Sequence, residues 1–262
     1  MRTLKENFFG NLGIGKVAKI EDWLKKYNIT KYTINNDWTI DVNGEVDLEN
    51  YPDKELPEYI QFNIVKDIFN ISDSKIISLK GAPKECKEFY CKECKNLTSL
   101  EGAPKKCKEF DCISCIKLIS LKGAPKECEK FWCEYCYSLT NLKDAPKECK
   151  LFVCSECKNL TSLEGAPEKC NYFYCQDCHS LTSLKGAPKE CDYFNCFGCN
   201  GLTSLEGATK ECEEFSCGNC KNLTSLKGAP RKCKIFKCKG CKGKFTEEDV
   251  LKVCDAKEIY CD

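Results

Sequence analysis

The chain has 262 residues, of which 26 are cysteine, one is histidine and one is methionine. Its 41 basic and 40 acidic side chains leave a formal charge of +1, which excludes a global electrostatic footprint for nucleic acid or an anionic membrane surface. No apolar run approaches the roughly 20 residues of a membrane-spanning helix, and FFGNLGIG near the start is too short and glycine-rich for a secretory core, so a soluble cytoplasmic protein is expected.

Residues 1–70 read as a small α+β cap. Ile20, Trp23, Leu24 and Tyr27 fall at helical spacing. Ile40 and Val42, then Asn43-Gly44, then Val46 and Leu48, predict a hairpin with a tight turn. Ile60, Phe62 and Ile64 continue the alternation, and Phe69, Ile71, Ile76 and Leu79 predict a degenerate first repeat without cysteine.

From Cys86 to Cys241 the cysteines fall in triplets, Cys86/Cys91/Cys94, Cys107/Cys112/Cys115, Cys128/Cys133/Cys136 and onward, each 21 residues after the last. Eight copies fit CxxFxCxxCxxLTSLxGAPxx, with Phe89, Phe110, Phe131, Phe152, Phe173, Phe194, Phe215 and Phe236 in one slot. A period of this length predicts a solenoid, in which each unit buries its apolar face only against copies of itself. The spacing of two from Phe89 to Cys91 predicts a short strand over Glu88 to Lys92, with Phe89 and Cys91 inward and Glu88, Tyr90 and Lys92 outward. GAP and LTSL disfavour helix and predict extended return segments. The expected fold is therefore an α/β-poor solenoid over 71–243, with a parallel β-sheet on one face and eight repeats spanning on the order of 40 Å.

CKEFYCKECKNLTSL resembles the leucine-rich repeat pattern LxxLxLxx(N/C)xL, with cysteine replacing two leucines and Cys94 at the asparagine/cysteine position. LTSLEGAP and LTSLKGAP are similar to repeats in many bacteriophage proteins of unknown role and in bacterial effector ubiquitin ligases. KYTINNDWTIDVNGEVDLEN strengthens the phage resemblance. The resemblance implies a leucine-rich-repeat-like right-handed coil. Ligase activity is not implied, because those ligases carry a large catalytic domain after the repeats and here only about twenty residues follow Cys241.

Residues 244–262 read as a C-terminal cap. Thr246 is placed to cap a short helix over Glu247 to Val253, with Asp249 completing an imperfect capping box. Cys254 keeps the 21-residue register, and Ile259 and Cys261 predict a last strand after a two-residue insertion.

Three chemistries suit the cysteines. The preferred one is that they form stacked columns of small apolar side chains inside the coil, since free cysteine is among the most buried residue types. A metal alternative rests on CxxC, with Cys91, Cys94, Cys112 and Cys115 as ligands, although the motif recurs without histidine partners. A disulfide alternative rests on the strand spacing of roughly 4.8 Å, which brings equivalent cysteines within bridging distance.

The repeats also provide an internal comparison. Inward slots barely vary, whereas the slot after phenylalanine reads Tyr90, Asp111, Trp132, Val153, Tyr174, Asn195, Ser216, Lys237. The slot before it reads Glu88, Glu109, Lys130, Leu151, Tyr172, Tyr193, Glu214, Ile235. With Ile113, Tyr135, Tyr137 and Phe197, the middle repeats present an aromatic and apolar field edged by charge, as protein-binding surfaces do. The plainer possibility is that these rings pack on one another across strands. The residues assigned to a partner are Tyr90, Trp132, Tyr135, Leu151, Val153, Tyr172, Tyr174, Tyr193, Asn195 and Phe197.

No phosphate loop, HExxH or paired-carboxylate motif appears, and His179 occupies a slot filled elsewhere by Lys95, Tyr137 or Asn200, so no enzyme, catalytic residue or cofactor is expected. The sequence points to a monomeric recognition module that binds another protein and neither nucleic acid nor membrane. By fold analogy the phage resemblance implies a host or defence-system component that is bound and blocked. A thiol-rich metal-binding or redox protein and a structural virion or spacer protein are the alternatives.

Overall fold

The structure, a computed structural model, describes residues 11–262, with side chains from residue 15 onward. The first residues of FFGNLGIG, beginning at Phe8, lie outside the described residues. Helix α1 (Asn11–Lys26) buries Ile20, Trp23 and Leu24 on one face, and Lys25 and Lys26 sit in its last turn, where the helix dipole favours cations. Asn28, at φ 56°, ends it, with the Ile29 N–H donating back to Leu24 O at 2.9 Å.

The expected hairpin about Asn43-Gly44 is not formed. Strand β1 (Tyr32–Ile34) pairs antiparallel with β2 (Ile40–Val42), so the turn lies over residues 35–39, where Trp38 takes φ 69° and Asp37 accepts from the Thr39 N–H. Strand β3 (Val46–Asp47) continues beyond β2, and both run parallel to β4 (Phe62–Asn70), with Ile40 opposite Phe62 and Val46 opposite Phe69. Asn43-Gly44 is thus an irregularity between two collinear pieces of one rung. Continuing in one direction lets Ile40, Val42, Val46 and Leu48 all reach the core of the next coil, which a reversal would not.

From β4 the chain repeats one plan through β5 (Glu85–Tyr90), β6 (Lys106–Asp111), β7 (Glu127–Trp132), β8 (Glu148–Val153), β9 (Lys169–Tyr174), β10 (Glu190–Asn195), β11 (Glu214–Ser216) and β12 (Lys232–Lys237). Each strand pairs parallel with the next, and β13 (Asp255–Tyr260) ends the series. The result is a helix-poor parallel β-solenoid of about 11 turns, in which β2/β3 and β4 are rungs. Helix α2 (Glu247–Leu251) starts at a full capping box between Thr246 and Asp249 and precedes β13. The two-residue insertion is there too, since Phe236 lies opposite Ile259.

The strands begin three residues earlier than Glu88, and their inward residues are Cys86 and Phe89 rather than Phe89 and Cys91. Lys108 has no ladder partner on either neighbouring strand, so each strand is broken after its first cysteine and inward residues three apart face the same side. Cys91 is buried at the corner just past the strand. The same break turns Ile64 outward, 39% exposed, while Val65 takes the inward slot opposite Cys86.

Inside the coil, the rings from Phe69 to Phe215 form one column, with successive centroids 5.1–5.6 Å apart and near-parallel planes. Offset stacking of this kind adds about 0.5–1.5 kcal/mol per pair beyond burial. Leu97 and Leu100 and their equivalents fill the other side. Gly102 of the GAP turn takes φ 97°, and a Cβ there would lie 2.6 Å from Leu79 O of the preceding rung, so only glycine lets the coils close to this distance. Lysine and glutamate alternate between rungs as exposed pairs such as Lys106–Glu127 at 2.8 Å and Lys122–Glu101 at 2.9 Å. Such exposed pairs are screened by water and chiefly keep the surface solvated.

Candidate functional site

The cysteines sort into three columns with different surroundings. Third-slot thiols donate to a backbone carbonyl of the preceding rung: Cys115 to Cys91 O at 3.1 Å, Cys157 to Cys133 O at 3.1 Å, Cys199 to Cys175 O at 3.0 Å. They satisfy a buried acceptor at the corner of the coil, which leucine would leave unpaired. Cys94 begins the column on Ile71 O, beside the hydroxyl of Ser74, which holds this slot in the cysteine-free rung. Second-slot thiols, Cys91 and Cys112 among them, are wholly buried. First-slot thiols line a groove of about 1240 Å³ running along the starts of the strands. Among the described residues, no three His, Cys, Asp or Glu side chains are grouped to hold a metal ion. All 26 cysteines are free thiols.

The outward sheet face carries the residues assigned to a partner. Along the slot after phenylalanine, large and small side chains alternate: Tyr90, Trp132 and Tyr174 are half-buried, while Asp111, Val153 and Ser216 are buried. Val153, expected in the exposed field, is only 7% exposed because its ladder neighbours are the larger Trp132 and Tyr174. In this slot the small residues are floor and the large ones are surface. Asn195 has a second duty, since its Oδ1 accepts the Phe197 N–H at 2.9 Å and holds the corner. Asp111 does the same for Ile113 at 3.0 Å, and burial pushes its carboxyl up although Lys92 Nζ lies 3.1 Å away.

Tyr172 and Tyr193 stack with centroids 4.7 Å apart, and Tyr174 tilts against Tyr172 at 6.4 Å. Burial, with Tyr172 beside it, pushes the Tyr174 hydroxyl up. Leu151 lies opposite Tyr172 in register and is half-buried. At the strand ends Tyr135 meets Tyr137 edge-on at 6.4 Å, and Lys158 sits over the Tyr137 ring. Tyr135, Tyr172 and Phe197 are 40%, 41% and 39% exposed. The sequence therefore identified the aromatic field but not its relief. Its charged edge is internally matched: Lys130 to Glu109 at 2.8 Å, Lys237 to Glu214 at 2.6 Å, and the Tyr90 hydroxyl to Glu88 at 2.5 Å.

Tyr135 carries a signal that side-chain type alone does not show. It stands at the left-handed corner between two cysteines, φ 57°, where other rungs place Glu93, Ser114, Glu156, Asp177, Gly198 or Asn219. An aromatic residue there forgoes about 1–2 kcal/mol that glycine would retain. His179, by contrast, is an exposed side chain with Nδ1 3.0 Å from Gly198 O. Among the described residues no helix is long and apolar enough to cross a membrane. No protein-family model matches this chain, and no curated protein or solved structure matches it.

Proposed function

We propose that this chain is a non-catalytic recognition protein, leucine-rich-repeat-like, that binds a partner protein through the outward sheet face. The observation that carries the reading is the stacked Tyr172–Tyr193 pair, held at 4.7 Å on a rigid ladder beside the strained and exposed Tyr135. Ordered tyrosine surface loses little entropy on binding and contributes large apolar area with a hydroxyl at its rim. The cations bordering the field are paired with carboxylates, which favours a protein surface over a polyanion. By analogy with the phage repeats, the partner is a host or defence component in the bacterial cytoplasm, occupied and blocked by a monomer of this chain.

The test is affinity capture from bacterial lysate with three tagged baits: wild type, Tyr172→Ala/Tyr135→Ala, and Ile119→Ser. Ile119 is 61% exposed in a return segment, away from the strands. A protein retained by wild type and Ile119→Ser and lost by the double variant supports the reading. Equal retention by all three baits, or retention by none, overturns it.

A further inference from the structure

The groove along the strand starts belongs to neither the sheet face nor the deep core, and its floor is the first-cysteine column from Cys86 to Cys191. These thiols differ from the other two columns in access. Buried first-slot cysteines retain 2–9% exposure and Cys149 and Cys212 are half-buried, whereas every second-slot thiol from Cys91 to Cys217 has 0%. They also differ in partner. Third-slot sulfurs point at carbonyls of the preceding rung; first-slot sulfurs also reach carbonyls, Cys128 to Lys130 O at 3.0 Å and Cys170 to Tyr172 O at 3.1 Å, but in three places lie beside another first-slot sulfur: Cys107 and Cys128 at 3.8 Å, Cys149 and Cys170 at 3.5 Å, Cys233 and Cys254 at 3.5 Å.

The ladder brings several first-slot neighbours together, and the sulfur distances select among them. Cys107 is in register with Cys128, Cys149 with Cys170 and Cys170 with Cys191, but the Cys170 sulfur lies 3.5 Å from that of Cys149 while the Cys191 thiol donates to Tyr193 O at 3.3 Å. The register of β7 on β8 starts only at Lys130 and Leu151, so Cys128 and Cys149 are not ladder partners. Strand β11 is shortened to Glu214–Ser216, leaving Cys212 outside it beside the bridge of Glu211 to Lys232, and Cys233 faces Ala256 in the ladder, so its sulfur reaches Cys254 across the two-residue offset of β13. In-register neighbours on parallel strands have Cα atoms about 4.8 Å apart, inside the roughly 4.4–6.8 Å span of a disulfide.

We propose that the first-cysteine column is an oxidative modification site, at which a hydroperoxide converts Cys107–Cys128, Cys149–Cys170 and Cys233–Cys254 into cross-rung disulfides while the two inner columns stay reduced. In each pair one thiolate attacks the hydroperoxide, the O–O bond breaks, and the sulfur is oxidised to a sulfenic acid as an alcohol or water leaves. The neighbouring thiol then attacks that sulfur. The S–O bond breaks, the thiol proton leaves with the hydroxyl as water, and the S–S bond forms. Two thiols and one hydroperoxide are consumed per bridge. The inner cysteines from Cys91 to Cys220 are shielded because no oxidant reaches a sulfur with no exposed surface.

The experiment treats the folded, full-length protein with hydrogen peroxide, alkylates residual thiols in denaturant, and maps bridges by mass spectrometry. Six of the 26 thiols are expected to be lost, as three bridges joining the named pairs, each with loss of two hydrogens. In Cys107→Ser, Cys128 has no other first-slot cysteine in register and is expected to accumulate a sulfenic acid that a dimedone probe traps. Should that variant not fold, Cys128→Ser tests Cys107 in the same way. Bridges between different columns, equal loss from all three columns, or 26 free thiols under conditions that fully oxidise glutathione would overturn the proposal. Since the groove and the sheet face are separate surfaces, none of these outcomes bears on partner binding.

Discussion

On the inner side of the strands, rung after rung repeats one phenylalanine and its flanking cysteines, whereas on the outer side the same strands carry tyrosine, tryptophan, valine, aspartate and lysine in adjacent copies. The inner positions answer to stacking, because each ring must sit on an identical ring about 5 Å away and any change leaves two unmatched neighbours. The outer positions are freer: large alternates with small in the slot after phenylalanine, while in the slot before it Tyr172 stacks on Tyr193. Variation between repeats marks positions that do not hold the coil together, while uniformity marks the architecture that does.

The largest effect expected on the inner side is collective. Burial pushes the Cys86 and Cys238 thiols from an ordinary 9.0 up to about 12, so the folded chain keeps protons that the unfolded chain releases. Stability from this source is fully present below pH 9.0 and is lost as pH rises from there toward 12. Denaturant midpoints measured across that window should fall steeply, beginning below the range in which lysines titrate. A flat profile would mean that the columns are more open than described. Next in size, Phe152→Ala removes a ring stacked on both sides, at 5.3 and 5.6 Å from its neighbours, and should lower unfolding free energy by about 4 kcal/mol in urea titrations. Tyr172→Ala, one strand away on the outer face, should change it by less than about 1 kcal/mol.

The cysteine columns sharpen the comparison at a smaller scale. Cys157→Ala leaves Cys133 O without its donor and should destabilise by about 2 kcal/mol, whereas Cys157→Ser keeps a donor and should cost less than half of that. Ser74 already fills this slot in the β4 rung. Equal losses in the two variants would show that volume rather than the hydrogen bond selects cysteine here. The smallest effect is at Tyr135. Tyr135→Asn relieves the left-handed strain at φ 57° and should leave stability unchanged or raise it by up to about 1 kcal/mol, measured by thermal unfolding, while weakening partner capture.

Much of this was legible in the sequence because the repeat itself is a measurement of the fold. A strict 21-residue period with phenylalanine in one slot leaves little but a stacked coil, and the Thr246 cap and the insertion before Ile259 follow from local chemistry. Asn43-Gly44 misled because turn propensity is local, whereas the direction of β3 is set by where Val46 and Leu48 are buried. The strand start was missed because period two assumes an unbroken ladder, and the break at Lys108 and its equivalents puts Cys107 and Phe110 on one side at a spacing of three. At the candidate site, the aromatic identities were plain, but the burial of Val153 depends on ladder neighbours 21 residues away, and the strain at Tyr135 on a backbone angle no composition reveals.

The most direct test of a recognition face is a photoreactive phenylalanine analogue placed at Tyr172 or, separately, at Ile119, with the protein produced in bacterial cells and irradiated there. A discrete crosslinked partner at Tyr172 and none at Ile119 is the predicted result. The same adducts from both positions, or adducts from Ile119 alone, would contradict it.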